Sequence, residues 1–344
     1  MDINNIWDDL GSNDHLAYKG SSRSISDLIQ DMNNNGLDVV SLDTSGEVNR
    51  VKVKATPNTR PDRSGEASGW YFFYDNGNGN FFCNYGNWRT NESFKYSSVD
   101  TQFMSVQEQA QLKKELDKRN KEQQERREQN YREVAKDVQG RFQKTKDLKE
   151  HDYLTIKGVK NYGFKELNGN LTIPLHDTLS PEFPICSMQT IYKDGTKRFV
   201  SGSRVKGSFF PLGFSINEIS NLNKIIITEG LATSCSIYEA TELPVICVFS
   251  ANFGLECLTN LRKYTQAKFV IAFDNDKHQV GQEQAKKIQA SINNVEVKIP
   301  NKSGYDFNDI HKELGLAEVK SQLMISAFNI RAISLRQFDT NPPE

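Results

Sequence analysis

Two short segments carry the acids best placed to do chemistry. KIIITEG (224–230) runs an apolar stretch into Glu229 and Gly230, and KFVIAFDND (268–276) runs a second into Asp274 and Asp276. Short runs of Ile, Val and Phe bounded by polar residues predict strands buried on both faces, the pattern of a parallel sheet covered by helices. Parallel strands end on one common edge, so the three carboxylates would converge there. Like charges held close together raise one another's pKa unless a cation sits between them, and all-oxygen donors favour Mg²⁺ or Mn²⁺. Taken singly, Glu229 reads equally as a helix-capping acid, and a lone Asp-x-Asp is more often a plain loop. The specific signal is their combination at strand ends. YDFNDIH (305–311) follows the last strand, where Asp306, Asn308 and Asp309 either add oxygens to the same edge or cap the helix that begins near Phe307.

The elements that must position these acids alternate from Lys224 onward: strand 224–228, helix 231–241, strand 244–249, helix 253–265, strand 268–273, helix 280–292 and strand 295–299, then short helices over 307–314 and 318–324. That order predicts a doubly wound, Rossmann-like parallel sheet. Upstream, NLTIPLHD (170–177), CSMQTIYKDGTKRFVSG (186–202) and SFFPLGF (208–214) predict an antiparallel meander. Residues 106–150 are a dense mixture of Lys, Arg, Glu and Gln, the composition of a long solvated helix acting as a charged spacer. Residues 1–100 are rich in Asn, Gly, Ser and aromatics, with a helical period over 24–32 and a hairpin over 69–88 turning at 76–80. The expected organisation is therefore α/β and α+β multidomain: an N-terminal α+β module (1–100), a charged helical linker (101–150), a β-rich subdomain (151–220), the parallel-sheet domain (221–318) and a C-terminal tail (319–344).

Composition narrows the class. With 344 residues, 37% hydrophobic and 10% aromatic, the chain is long enough for several real cores. No apolar run approaches the ~20 residues that span a bilayer, and the first residues lack a signal-peptide pattern, so no membrane role and a cytoplasmic location are expected. The five cysteines form no Cys-x-x-Cys pair, so neither a disulfide framework nor a zinc ribbon is expected. A net charge of −1 does not announce a nucleic-acid binder, because acidic site residues offset basic surface in the sum. No Gly-x-x-x-x-Gly-Lys-Ser/Thr occurs, so these residues carry no P-loop motor.

A glutamate-glycine strand end followed by Asp-x-Asp resembles the Toprim fold of bacterial primases, topoisomerases and some nucleases. EGLATSCSIYEATELPV (229–245) is similar to the Glu-Gly-Tyr-Ala-Thr-Ala motif of conjugative-plasmid and phage primases, matching at Glu229, Gly230, Ala232 and Thr233 and departing at Leu231 and Ser234. HDYLTIKGV (151–159), LTIPLHD, SMQTIYKDGTKRFVSGSRVKGSFFPLG (187–213), YDFNDIH and GWYFFYDNGNGNFFCNYGNWRT (69–90) resemble segments of the same family. The resemblance implies a DNA primase, a nucleotidyltransferase joining ribonucleotides on single-stranded DNA for a plasmid, phage or mobile element. Glu229, Asp274 and Asp276 would hold Mg²⁺ or Mn²⁺, with Asp306 and Asp309 auxiliary, and Gly230 and Thr233 would contact nucleotide.

Other residues offer themselves for phosphate and base. Lys197, Arg198, Arg204 and Lys206 lie in the meander just before the acidic strand, where Arg forks suit phosphate, although such runs also occur on solvated hairpin faces. Lys286 lies on the helix that follows Asp-x-Asp. Trp70, Tyr71, Trp88 and Arg89 either form a stacking platform for single-stranded bases or are the core of a small β module. The rivals to a primase are a Toprim nuclease and a non-catalytic single-strand-binding accessory protein. A separate replicative helicase is the expected protein partner, with 330–344 as its docking segment.

Overall fold

The computed structural model describes residues 23–46, 48–57, 59–75, 81–90, 92–98, 106–277 and 279–324. The hairpin turn at 76–80, His278 and the tail beyond 324, including the proposed docking segment, lie outside them. The chain divides into two compact units, Met1–Asn120 and Lys121–Glu344.

In the first unit, α1 (Ile25–Asn34) starts at a capping box: the Ser24 hydroxyl accepts from the Asp27 amide at 3.2 Å and the Asp27 carboxylate accepts from the Ser24 amide at 2.8 Å. Its buried Leu28 and Met32 pack on an antiparallel sheet of β1 (Leu37–Asp38), β2 (Val48–Val53), β3 (Gly69–Asp75), β4 (Phe81–Asn87) and β5 (Glu92–Ser97), which pair in chain order. Strand alternation brings Tyr71, Phe73, Phe81, Cys83 and Tyr85 onto the face under the helix. Gly86 is required there, because a Cβ would stand 2.3 Å from the Glu92 carbonyl oxygen.

The second unit is built on one ten-stranded sheet. Before it comes α2 (Val106–Phe142), followed by β6 (Lys146–Asp147), α3 (Asp152–Lys157), β7 (Lys165–Leu167), β8 (Asn170–Asp177), β9 (Ile185–Ile191), β10 (Lys197–Phe199) and β11 (Ser208–Leu212). The alternating part runs β12 (Lys224–Thr228), α4 (Leu231–Thr241), β13 (Val245–Cys247), α5 (Ala251–Leu261), β14 (Lys268–Ile271), α6 (Val280–Ser291), β15 (Val295–Val297), α7 (Phe307–Leu314) and α8 (Leu316–Met324). Strand order is β10-β9-β8-β11-β13-β12-β14-β15, with β7 on β8 and β6 on β7. β13, β12, β14 and β15 are parallel, while β11 is antiparallel to both β8 and β13. The meander and the parallel block are therefore one sheet, joined at β11. On β12, Ile226 enters a core with α4, α7 and α8, whereas Ile225 and Ile227 enter the opposite core with α5 and α6, which is why the strand reads as an unbroken apolar run.

From residue 121 onward α2 is more than a solvated spacer. Val138 is buried, Asn130 Nδ2 donates to the Gly202 carbonyl at 3.1 Å, and Gln139 Nε2 donates to the Ile185 carbonyl at 2.9 Å. Arg204 clamps this helix to the meander: it pairs with Glu128, its Nε lies 3.4 Å from Asp177 Oδ2, and its guanidinium sits 4.6 Å from the ring centre of Tyr131. The Arg204 side chain keeps only 12% of its exposure. Reading it as a phosphate contact is thus corrected, because its charge is already paired with Glu128 and Asp177 inside the protein. Arg204→Ala should cost about 1 to 3 kcal/mol by leaving two carboxylates half-buried and unpaired. A melting temperature equal to wild type in thermal denaturation would mark the cluster as a surface pair instead.

Candidate functional site

The carboxyl edge of the parallel block collects the acids. Glu229 follows β12, and its two oxygens are held apart by backbone donors: Oε1 accepts from the Asp274 amide at 3.2 Å and Oε2 from the Ala251 amide, at the start of α5, at 3.1 Å. Asp276 Oδ2 accepts from the Gly281 amide at 3.4 Å, at the start of α6. Asp306 caps α7, its Oδ1 accepting from the Asp309 amide at 2.7 Å while Asp309 Oδ2 accepts from the Asp306 amide at 3.2 Å. Three helix N-termini are thus met by site carboxylates, which complements their dipoles. The fourth, α4, begins at Gly230 with no side-chain cap, and a Cβ at Gly230 would meet nothing within 4 Å. A side chain would therefore find room at Gly230 itself. At Gly281 the packing is tight: a Cβ would stand 2.5 Å from the Asp274 carbonyl oxygen and 3.0 Å from Glu229 Oε1.

The acids share one electrostatic field. Burial pushes the Asp274 carboxyl up to about 8, reinforced by the charges of Glu229, Asp306, Asp276 and Asp309. Burial likewise raises Glu229, with Asp276 and Asp306 adding to it, and raises Asp306, with Asp309 adding to it. Asp274 Oδ1 is buried with no hydrogen-bond partner. Among the described residues, no three His, Cys, Asp or Glu side chains are gathered closely enough to ligate one ion as they stand. The donor set nevertheless fits a hard divalent cation: it is all oxygen, it carries an orphaned buried carboxylate oxygen, and it sits in excess negative charge.

Lys197, on β10, faces this field. Its ammonium lies 5.0 Å from the ring centre of Tyr153, and loss of surrounding water holds its pKa below the ordinary lysine value, with Lys157 adding to that and Asp306 and Asp274 opposing it. Arg198 alternates to the other side, 5.9 Å over Tyr192, in a groove between α2 and the meander. Lys206 is paired with Glu256 at 3.1 Å. Thr233 is buried in the first turn of α4, and Lys286 is exposed in the second turn of α6 rather than at its start. At the two motif departures, Leu231 is buried, and the Ser234 hydroxyl lies 2.6 Å from the Thr228 hydroxyl and donates to the Gly230 carbonyl at 2.9 Å. Both departures lie inside the protein. Asn308 is buried, its Nδ2 donating to the Lys157 carbonyl and the Ser236 hydroxyl while its Oδ1 has no hydrogen-bond partner.

The stacking platform on the first unit contracts. Tyr71 is core, its hydroxyl accepting from the Asp43 amide at 2.7 Å, and Trp70 is buried. Arg89 is committed to Asp62 and to Glu66 at 3.4 Å. Trp88 is exposed, stacked on Trp70 at 6.1 Å with Arg50 4.7 Å over its ring.

Sequence reasoning passed over three site residues. Asn275 and Gln282 support the Asp-x-Asp loop through side-chain hydrogen bonds that no spacing announces. Phe249 adopts φ 65°, a left-handed conformation costly for a bulky residue, in the turn that delivers the Ala251 amide to Glu229.

Residues 224–317 match the Toprim domain family, and this segment is a Toprim domain. Over 133 residues the chain is 30% identical to a DNA primase TraC of Escherichia coli, covering 37% of this chain and 9% of the relative. Over 226 residues it is 26% identical to another Escherichia coli DNA primase TraC, covering 64% of this chain and 20% of the relative. The chain is homologous to these primases and spans no more than 20% of their length. Among solved structures, the zinc-binding and RNA polymerase domains of Aquifex aeolicus primase align with 90% of this chain and 86% of that one, at 14% identity and TM-score 0.39. The primase fragment of the bacteriophage T7 primase-helicase protein aligns with 52% of this chain and 80% of that one, at 17% identity and TM-score 0.39. TM-scores this low support no conclusion by themselves. Among the described residues no helix is long and apolar enough to cross a membrane.

Proposed function

We propose that the chain carries the nucleotidyl-transfer core of a DNA primase, which joins ribonucleoside triphosphates into short primers on single-stranded DNA in the cytoplasm, with Mg²⁺ or Mn²⁺ as cofactor and a separate replicative helicase as partner. The observation that carries this reading is the carboxylate field at the edge of the Toprim domain, where burial and four neighbouring acids push Asp274 up to about 8. Glu229, Asp274 and Asp276 would hold the cations, with Asp306 and Asp309 shaping the field. Bound there, divalent ions would lower the pKa of the attacking 3′-hydroxyl and neutralise charge on the triphosphate.

The chain's own groups do the rest. The amides of Asp274, Ala251 and Gly281 fix the carboxylates in place before substrate arrives, so little reorganisation is needed when charge develops. Lys197 offers a cation on the side facing the acids, suited to a phosphate that bridges the two. The first turn of α4, which carries no side-chain cap, lies at the same edge. Arg198, on the other side of β10, suits template phosphate rather than the reacting triphosphate.

The test is direct. Single-stranded DNA, ribonucleotides and Mg²⁺ or Mn²⁺ should yield metal-dependent oligonucleotides on a denaturing gel. Shortened template would indicate a nuclease instead, and tight DNA binding with no product under either metal would leave the accessory binding protein.

A further inference from the structure

We propose that Asn275, the middle residue of Asp-Asn-Asp, is a positioning residue that latches the loop bearing Asp274 and Asp276 to the segment leading into Asp306. The inference rests on the metal-dependent reading above and assigns work to a residue that touches neither substrate nor cation.

Four hydrogen bonds converge on this one residue. Its amide donates to the Tyr305 carbonyl at 3.0 Å, and its carbonyl accepts from the Gly304 amide at 2.6 Å. Its side-chain Nδ2 donates to the Pro300 carbonyl at 2.8 Å, and its Oδ1 accepts from Gln282 Nε2 at 2.6 Å. The orientation of the side-chain amide is forced, because a carbonyl can only accept, so Nδ2 must face Pro300 and Gln282 must be the donor. Gln282 Nε2 also reaches the Asp276 carbonyl at 3.1 Å, tying the start of α6 into the same knot.

The consequence is electrostatic. Tyr305 is followed at once by Asp306, so the latch ties the segment carrying the capping acids of α7 to the loop carrying Asp274. Mutual repulsion opposes that approach, and a loop held only by its ends would yield to it. Asparagine suits the position because it donates, accepts and brings no charge of its own. Aspartate could keep the Gln282 contact but could not donate to Pro300 and would add a further negative charge.

Three variants of the full chain separate positioning from simple structure: Asn275→Ala, Asn275→Asp and Gln282→Ala. Mn²⁺ binding is read by electron paramagnetic resonance without substrate, and thermal unfolding is followed in EDTA. Outer partners of metal ligands typically contribute about 10- to 100-fold in affinity. Asn275→Ala should weaken Mn²⁺ binding by about that factor while remaining folded, since both backbone bonds survive. Gln282→Ala removes the Oδ1 contact and the bond to the Asp276 carbonyl but spares the Pro300 bond, and should give a loss in the same direction; it stands in if Asn275→Ala does not fold. Asn275→Asp is decisive in sign. If charge alone mattered it would bind Mn²⁺ more tightly than wild type, whereas a broken latch makes it bind more weakly. Affinity of Asn275→Ala within twofold of wild type, or tighter binding by Asn275→Asp, would overturn the latch. A wild-type chain that binds no Mn²⁺ would overturn the metal-dependent reading itself, and the latch with it.

Discussion

Asp274→Asn and Glu229→Gln should each leave a folded protein whose primer synthesis falls by several orders of magnitude. Each tenfold in rate corresponds to about 1.4 kcal/mol of barrier, and a metal ion stabilises phosphoryl charge by several kcal/mol, so loss of one holding carboxylate is expected to cost about 10²- to 10⁴-fold. The two substitutions differ in their structural cost. Asp274 Oδ1 has no hydrogen-bond partner, so an amide there strands no existing contact and removes a charge that its neighbours resist. Both Glu229 oxygens accept backbone amides, so the side chain introduced by Glu229→Gln must turn its NH₂ toward one of those donors, at about 1 to 3 kcal/mol. Asp274→Asn is therefore the cleaner probe. Labelled products on a denaturing gel, with circular dichroism melts of the same samples, give the answer. Synthesis by Asp274→Asn within threefold of wild type would remove the carboxylate from the chemistry.

What the sequence disclosed and what it hid follow from the range of the forces involved. The alternation of strands and helices after Lys224 was legible because each parallel strand is buried on both faces and each helix returns across the sheet, so periodicity is enforced residue by residue. The acids at strand ends were legible for the same reason, since topology alone sends them to one edge. The charged residues were not. Lys197, Arg198 and Arg204 read alike in a basic run. One faces the carboxylates, one faces a groove against α2, and one is locked between Glu128 and Asp177, partners 76 and 27 positions away in sequence. The aromatic run in the first unit left two uses open for the same reason: strand alternation sends Tyr71 inward, and composition does not say which face a helix will cover. Asp306 behaves in the opposite way, because capping α7 and feeling Asp274 are compatible uses of one carboxylate, so the two readings were never exclusive.

The metal-free protein should lose stability as pH rises from about 5 to 8, and divalent cation should restore it. Asp274 has a folded-state pKa of about 8 against an ordinary value of 3.8, so the folded state binds its proton more tightly than the unfolded state. Stability from that proton is complete below about pH 4 and is lost as pH climbs through 8. Glu229 and Asp306 are shifted in the same direction and steepen the loss. Acids with depressed pKa act oppositely but in a lower window. Asp62 is brought to about 2 by hydrogen bonds from Ser68, Val53 and Arg89 that outweigh its desolvation, and Glu66 is brought to about 2 chiefly by Arg60, so their contribution changes only below about pH 4.5. Between pH 5 and 8 the carboxylate field at the Toprim edge is opposed by His176, whose pKa burial holds below the ordinary value, and should outweigh that single imidazole, by a few kcal/mol at most, given about 1.4 kcal/mol per pKa unit and partial solvent access. Thermal unfolding in EDTA should show wild type melting lower at pH 8 than at pH 5, Asp274→Asn falling less steeply across that range, and Mg²⁺ raising the pH 8 melt of wild type far more than that of the variant. The cation then does at pH 8 what the proton does at pH 5, which ties the stability of the fold to the charge the proposed reaction requires. Parallel pH profiles for the two proteins in EDTA, together with equal Mg²⁺ stabilisation, would show that Asp274 neither titrates in this range nor holds the ion.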